Sequence, residues 1–180
     1  MLVLVMETPV QIRRAVENEI RMAFRGVTLG RGMSLRQAEL ADRFQDAVWK
    51  AQGTSLGRGE ITDDWSQVSL EELERDCTAH LDAEGFRYYI PALMLSLLDH
   101  YDSSSMRVIG TLDSLYPKKD SSWEYHMNCY SLLNLPQKTA IARFLAELPK
   151  LVELNSEDQK VVERALRNYW GEYLQTNATE

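Results

Sequence analysis

Apolar residues recur at spacings of three and four along most of the chain, and this is the period of an α-helix. One such stripe begins at Ile12, another at Leu35 and a third at Val161. The alternation typical of a β-strand is confined to a short piece at residues 2–5. We therefore expect an all-α protein of about six to seven helices, folded as a single compact domain over residues 1–180.

Capping boxes mark where these helices begin. In this pattern a Ser or Thr side chain accepts a hydrogen bond from the backbone amide of a Gln or Glu three residues later. Four pairs fit it: Thr8 with Gln11, Ser34 with Gln37, Ser69 with Glu72, and Ser156 with Gln159. The third pair predicts a helix over 70–81. A further helix is expected to begin near Asn134 and to end where Pro149 breaks it.

The most hydrophobic part of the chain follows, over residues 83–101, and opens with the sequence AEGFRYYIPALM. Its apolar residues cover more than half of a helix circumference, which is typical of a helix surrounded by others. We expect this to be the central helix of the domain, with a kink at Pro91. Arg87 and Tyr88 fall outside the apolar stripe, and we expect them on the polar side.

Composition limits the class of protein. With 180 residues, 44% of them hydrophobic, the chain can bury a full core, and its two cysteines are too few for a disulfide framework. We find neither a secretory signal nor an apolar run of the roughly 20 residues that span a bilayer. The sequence thus predicts a cytoplasmic protein without a membrane segment.

Charge is distributed unevenly. Residues 1–58 hold nine Lys and Arg against six Asp and Glu, and residues 59–180 hold eleven against twenty-one. An acidic majority argues against a nucleic-acid partner, which calls for a basic stripe. Arg14, Arg21 and Arg25 repeat at helical spacing, and they form either a solvated helix face or a docking patch for an acidic partner.

Three stretches resemble a known family. They are GVTLGRGMSLRQAELAD upstream of Trp65, EGFRYYIPALM in the central helix, and YSLLNLPQKTAIARFLAEL at 130–148. Together they are similar to a family of small bacterial proteins catalogued only as a domain of unknown function. The resemblance implies a helical single domain and no particular activity.

A zinc site is the sharpest chemical alternative. Two pairs with spacing three offer ligands of the right type: Cys77 with His80, and His126 with Cys129. Both cysteines, however, lie among apolar positions, where a free thiol behaves as a small hydrophobe. The sequence therefore favours no metal and no other cofactor.

Enzymatic chemistry is the second alternative. Cys129 and His126 could serve as nucleophile and base, and loop aspartates could supply an acid and a base. The Gly-Arg-Gly runs at 30–32 and 57–59 lack phosphate-loop spacing and read as turns. This alternative is a small-molecule hydrolase or transferase with a pocket near the central helix.

The leading hypothesis is a protein that binds another protein, as an accessory, regulatory or immunity-type factor, with a homodimer as a further option. Arginines and loop aromatics often anchor interfaces. Six residues are therefore the candidate partner-binding set: Arg31, Arg58, Trp65, Arg87, Tyr88 and Trp123. If this is right, replacing Trp65 and Trp123 should leave folding intact and abolish partner capture.

Overall fold

The computed structural model describes residues 7–44, 61–75 and 78–178. Within these ranges the protein is all-helical, without a β-strand, as the apolar periodicity predicts. The α-helices are α1 (Pro9–Ala23), α2 (Leu35–Phe44), α3 (Leu70–Leu73), α4 (Ala83–Asp99), α5 (Met106–Ser114), α6 (Trp123–Tyr130), α7 (Leu135–Leu151) and α8 (Ser156–Asn168). Three 3-10 helices cover Trp65–Gln67, Thr78–His80 and Trp170–Ala178.

The predicted caps at the first three Ser and Thr positions are present. Thr8 Oγ1 accepts from the Gln11 amide, and the Gln11 side chain accepts from the Thr8 amide in return. Near the C-terminus the prediction was wrong by one residue. Asn155, rather than Ser156, caps α8, because its Oδ1 accepts from both the Glu157 and Asp158 amides.

Two predicted helix ends differ from the structure. The helix expected over 70–81 is only one turn long, and the chain forms a separate 3-10 turn at Thr78–His80. Helix α7 begins after Asn134 as predicted but continues through Pro149 to Leu151. A proline ring interferes with the preceding turn of a helix and removes one backbone donor, and here Pro149 lies two residues before the end of α7.

Helix α4 is the central helix, as its hydrophobicity predicts. Of its seventeen residues twelve are buried, and Asp82 caps it by accepting a hydrogen bond from the Gly85 amide over 2.8 Å. Phe86 packs against the ring of Tyr130 in α6. Pro91 lies within the continuous helix.

Two further packing relationships position the surfaces discussed below. Helix α1 lies along α7, and the Gln137 side chain donates to the carbonyl oxygen of Ala23 at the end of α1. The C-terminal 3-10 helix also packs against α7. Its buried Trp170 donates to the carbonyl oxygen of Leu115, and its ring lies 4.7 Å from that of Tyr130. None of the described helices combines the length and the apolar character needed to cross a membrane.

Candidate functional site

A cavity of about 350 Å³ opens between α5 and α6. We call it the Cys129 pocket. Its apolar wall consists of side chains from α4 and α5: Phe86, Met106 and Ile109. Its polar wall comes mainly from one face of α6, where Ser122, Tyr125, His126 and Cys129 recur at spacings of three and four.

Four hydroxyl and thiol groups of this pocket donate their protons to the protein itself. Tyr125 Oη lies 3.1 Å and Cys129 Sγ 3.5 Å from the same acceptor, the carbonyl oxygen of Leu81. Ser122 Oγ donates to Asp120 over 2.6 Å, and Ser114 Oγ donates to the carbonyl oxygen of Thr111 over 2.8 Å. The oxygen lone pairs of these groups remain as acceptors.

The geometry does not activate Cys129 as a nucleophile. Burial raises the pKa of its thiol, so that the thiolate is disfavoured. His126 cannot act as its base, because Nδ1 lies 2.9 Å from the carbonyl oxygen of Ser122 and Nε2 lies 3.2 Å from that of Asp113. Burial also raises the pKa of Tyr125. The Cys129 and His126 dyad considered from the sequence is therefore not assembled.

A second concave surface, of about 610 Å³, runs between α1 and α7. We call it the α1–α7 groove. Met22 on α1 and Leu135 on α7 line its two walls, and they are 69% and 52% exposed. The remaining lining is small or polar: Ala15, Asn18, Glu19, Ala23, Pro136 and Thr139. Large apolar side chains that stay exposed on both walls of one groove are typical of an interaction surface.

Outside the groove lining, the unpaired charge on and just after α1 is positive. The acidic residues of α1 are neutralised, since Glu17 pairs with Arg13 over 2.8 Å and Glu19 pairs with Arg143 over 3.1 Å. Arg14, Arg21 and Arg25, by contrast, are exposed and form no ion pair with any carboxylate in the described ranges. Arg21 makes only a small contribution to the lowered pKa of Asp64, which is caused first by hydrogen bonds from Ser66.

The five predicted partner-binding residues that the structure describes do not converge on one surface. Arg31 is exposed, whereas Trp65 is 4% and Tyr88 is 1% exposed, so the expectation that these two face solvent was wrong. Trp65 donates to the carbonyl oxygen of Phe24, and Tyr88 donates to that of Thr62 over 2.6 Å. A polar tip that reaches a backbone acceptor lets an aromatic ring be buried in the core.

For the other predicted partner-binding residues, the structure neither confirms nor contradicts a role in binding. Arg87 is half-buried, its Nε has no hydrogen-bond partner, and no described carboxylate pairs with it. Trp123 is half-buried with its ring against that of Tyr169. Arg58 lies outside the described residues. Partner binding by Arg31, Arg87 and Trp123 stays a prediction.

The zinc ligands considered from the sequence do not meet among the residues that can be placed. His80 Nε2 lies 3.0 Å from Asp42 on the surface, and His126 contacts backbone carbonyl oxygens in the Cys129 pocket. Cys77 lies outside the described ranges. In those ranges no group of three or more His, Cys, Asp or Glu side chains could hold a metal ion.

Sequence reasoning missed the residues that shape both concave surfaces. Tyr125 follows the same α6 face as His126 and Cys129, and that spacing could have revealed it. Met22 and Leu135 carried no such signal. They look like ordinary helix residues until α1 is placed beside α7, since their exposure depends on a contact between distant parts of the chain.

Comparison with known families bears on the whole chain. A family model described as "Family of unknown function (DUF6714)" matches residues 12–174, which is nearly the entire sequence. The chain belongs to this family. The resemblance to a domain of unknown function is thus confirmed, and DUF6714 supplies no assigned activity. No curated protein matches the chain, and no solved structure matches it.

Proposed function

We propose that this protein acts by binding another protein, as an accessory or regulatory factor, and that the partner docks in the α1–α7 groove. The partner segment is an amphipathic helix with apolar anchors and acidic flanks. The observation that carries this proposal is the exposure of Met22 and Leu135 on facing walls of one groove.

Apolar anchoring supports the helical form of the partner. Helices that bind in grooves insert residues spaced three and four apart into an apolar channel between two helices. Such a ligand would cover Met22 and Leu135 together, and covering them removes apolar surface from water at about 25 cal/mol per Å².

Charge supports the acidic character of the partner. Arg14 and Arg25 lie on α1 and just beyond its end, outside the groove lining, whereas Arg21 lines a separate cavity with Trp65 and His100. The acidic side chains of α1 are already paired. A partner with carboxylates at the matching positions would associate faster and in a fixed orientation, because complementary charges guide encounter and register.

The experiment compares Leu135→Glu with Val10→Glu. Both positions lie in the first turn of a helix, where a glutamate is favourable, and Val10 is 77% exposed but lines no described pocket. We expect both variants to unfold at the wild-type temperature. Leu135→Glu should lower capture of the partner from native cells at least about tenfold, as loss of an interface anchor does.

Val10→Glu should capture as much partner as the wild type. Equal capture by Leu135→Glu would exclude the groove as the docking site. Native mass at two protein concentrations separates a second copy of this chain, the competing occupant, from a different partner. A doubled mass that Leu135→Glu abolishes would make the groove a homodimer interface instead.

The competing function, a small-molecule hydrolase or transferase, has weaker support. The Cys129 pocket, which Phe86 of the central helix lines, contains a protonated thiol and an imidazole whose two nitrogens both face carbonyl oxygens. Catalysis by Cys129 would need a base within hydrogen-bond distance of its sulfur.

A further inference from the structure

We propose that the Cys129 pocket is a binding site for a small neutral aromatic molecule that donates one hydrogen bond. This inference is independent of protein docking in the α1–α7 groove, because it concerns a different cavity lined by other elements.

The size and lining of the pocket set the first requirement. About 350 Å³ is within the range of small-molecule sites, which are mostly apolar with a few placed polar groups. The wall formed by Phe86, Met106 and Ile109 offers apolar contact to a flat molecule. A ligand made largely of polar atoms would lose hydration there without a matching set of partners.

The electrostatics set the second requirement. The lining contains one ammonium and one carboxylate, and Lys118 Nζ lies 3.9 Å from Asp113 Oδ1. These two opposite charges offset each other. The Cys129 thiol is buried, whereas Tyr125 is 38% exposed, and desolvation raises the pKa of both groups so that both stay neutral. A ligand with a net charge would find no uncompensated counter-charge in this lining.

The direction of the hydrogen bonds sets the third requirement. Tyr125 and Cys129 both donate to the Leu81 carbonyl oxygen, and Ser114 and Ser122 donate to other protein acceptors. These four groups therefore present lone pairs, because their own protons are already donated within the protein; the Thr78 hydroxyl and the Lys118 ammonium of the lining are not among them. A ligand that brings its own N–H or O–H can donate to one of them, whereas a ligand with only acceptors meets lone pairs.

Indole and 1-methylindole are the test probes, since they differ in the single donor. Titration of the full chain is followed through backbone amide signals. We expect saturable shifts from indole at residues 109–114 and 122–129, with binding of 1-methylindole at least about fivefold weaker, in line with the loss of one hydrogen bond.

Substitutions in the lining test whether indole binds in the Cys129 pocket. Ala79 is an exposed lining residue, and Ala79→Trp should fill the mouth and weaken indole binding at least about tenfold, with Met106→Trp as a second way of filling it. Val10→Trp, on α1, should leave binding unchanged. In a Cys77→Ser background Cys129 is the only thiol, and bound indole should slow its alkylation.

The proposal is overturned by any of three results. The first is the absence of saturable shifts up to the solubility limit of indole. The second is a set of shifts centred on the α1–α7 groove. The third is that Ala79→Trp, Met106→Trp and the wild type all bind the two probes with equal affinity. Leu135→Glu should bind indole like the wild type, so the groove and the pocket can fail separately.

Discussion

Gly32 lies directly against Gly85 at the start of the central helix. A Cβ built on Gly32 would stand 2.7 Å from the amide nitrogen of Gly85 and 2.6 Å from Glu84 Cβ. On the other side of this contact, a Cβ on Gly85 would overlap the carbonyl oxygen of Met33. Asp82 joins the two segments, because its Oδ1 accepts from the Gly85 amide over 2.8 Å and from the Met33 amide over 3.0 Å.

Gly85→Ala should therefore destabilise the fold by about 3 kcal/mol, near the upper end for overpacking, because the atom it meets belongs to the backbone and cannot rotate away. Gly26→Ala is the matched control. Gly26 has a φ of +73° and no atom within 4 Å of its Cβ position, so only the conformational cost of about 1 kcal/mol applies. Urea unfolding measures both. A smaller loss for Gly85→Ala than for Gly26→Ala would contradict the close contact.

This contact shows which part of the fold the sequence predicts. The helix starts at Thr8, Ser34, Ser69 and Asn134 depend on residues three positions apart, so local patterns are sufficient to locate them. The Gly-Arg-Gly run at 30–32 read as a turn, and its role against α4 involves residues about fifty positions apart. Sequence periodicity carries no information on such pairs.

Burial of polar aromatic side chains was unpredictable for the same reason. Trp65 stands near aspartates and turn residues, which suggested exposure, yet its Nε1 reaches the carbonyl oxygen of Phe24 over 2.8 Å. That acceptor is the C-cap of α1, forty-one positions away in the chain. The walls of the α1–α7 groove were unpredictable for the same reason, because they come from helices that are distant in the sequence.

Trp65→Phe should cost roughly 1–3 kcal/mol of stability, because it removes a buried hydrogen bond and leaves the Phe24 carbonyl without its indole partner. Trp123→Phe serves as control, since Trp123 is half-buried and retains an aromatic contact with Tyr169. We expect its loss to be below about 1 kcal/mol. Equal losses in urea unfolding would argue against a structural role for the Trp65 hydrogen bond. From the sequence we expected that substitution of Trp65 would leave folding intact. The buried position of Trp65 leads us to expect a loss of stability instead.

Cys129 should make stability depend on alkaline pH. Burial raises the pKa of its thiol in the folded state above the value of about 8.5 expected in the unfolded chain. Its contribution is fully present below that unfolded pKa and is lost as pH rises toward the folded pKa, because the unfolded state then releases the proton first. Unfolding free energies at pH 7, 8, 9 and 10 should fall more steeply for Cys77→Ser than for Cys77→Ser with Cys129→Ala. Parallel slopes would show that the Cys129 thiol is not protected by burial.

Salt should weaken partner capture through the groove. Exposed charges separated by more than about 8 Å are screened at physiological ionic strength, and screening increases with further salt. Capture by the wild type should therefore fall between 0.05 and 0.5 M NaCl. Arg14→Gln with Arg25→Gln should bind less tightly and show a shallower dependence on salt. An unchanged slope in this double variant would mean that these arginines do not face the partner.

The most direct test of the central claim is photo-crosslinking from position 18. Asn18 is exposed and lines the α1–α7 groove, so a benzoylphenylalanine placed there should react with whatever occupies it. In native cells we expect a crosslink to an acidic amphipathic helix of another protein, and Leu135→Glu should abolish it. A crosslink to a second copy of this chain or to a basic segment would contradict the proposed function. A crosslink that Leu135→Glu leaves unchanged would contradict it as well.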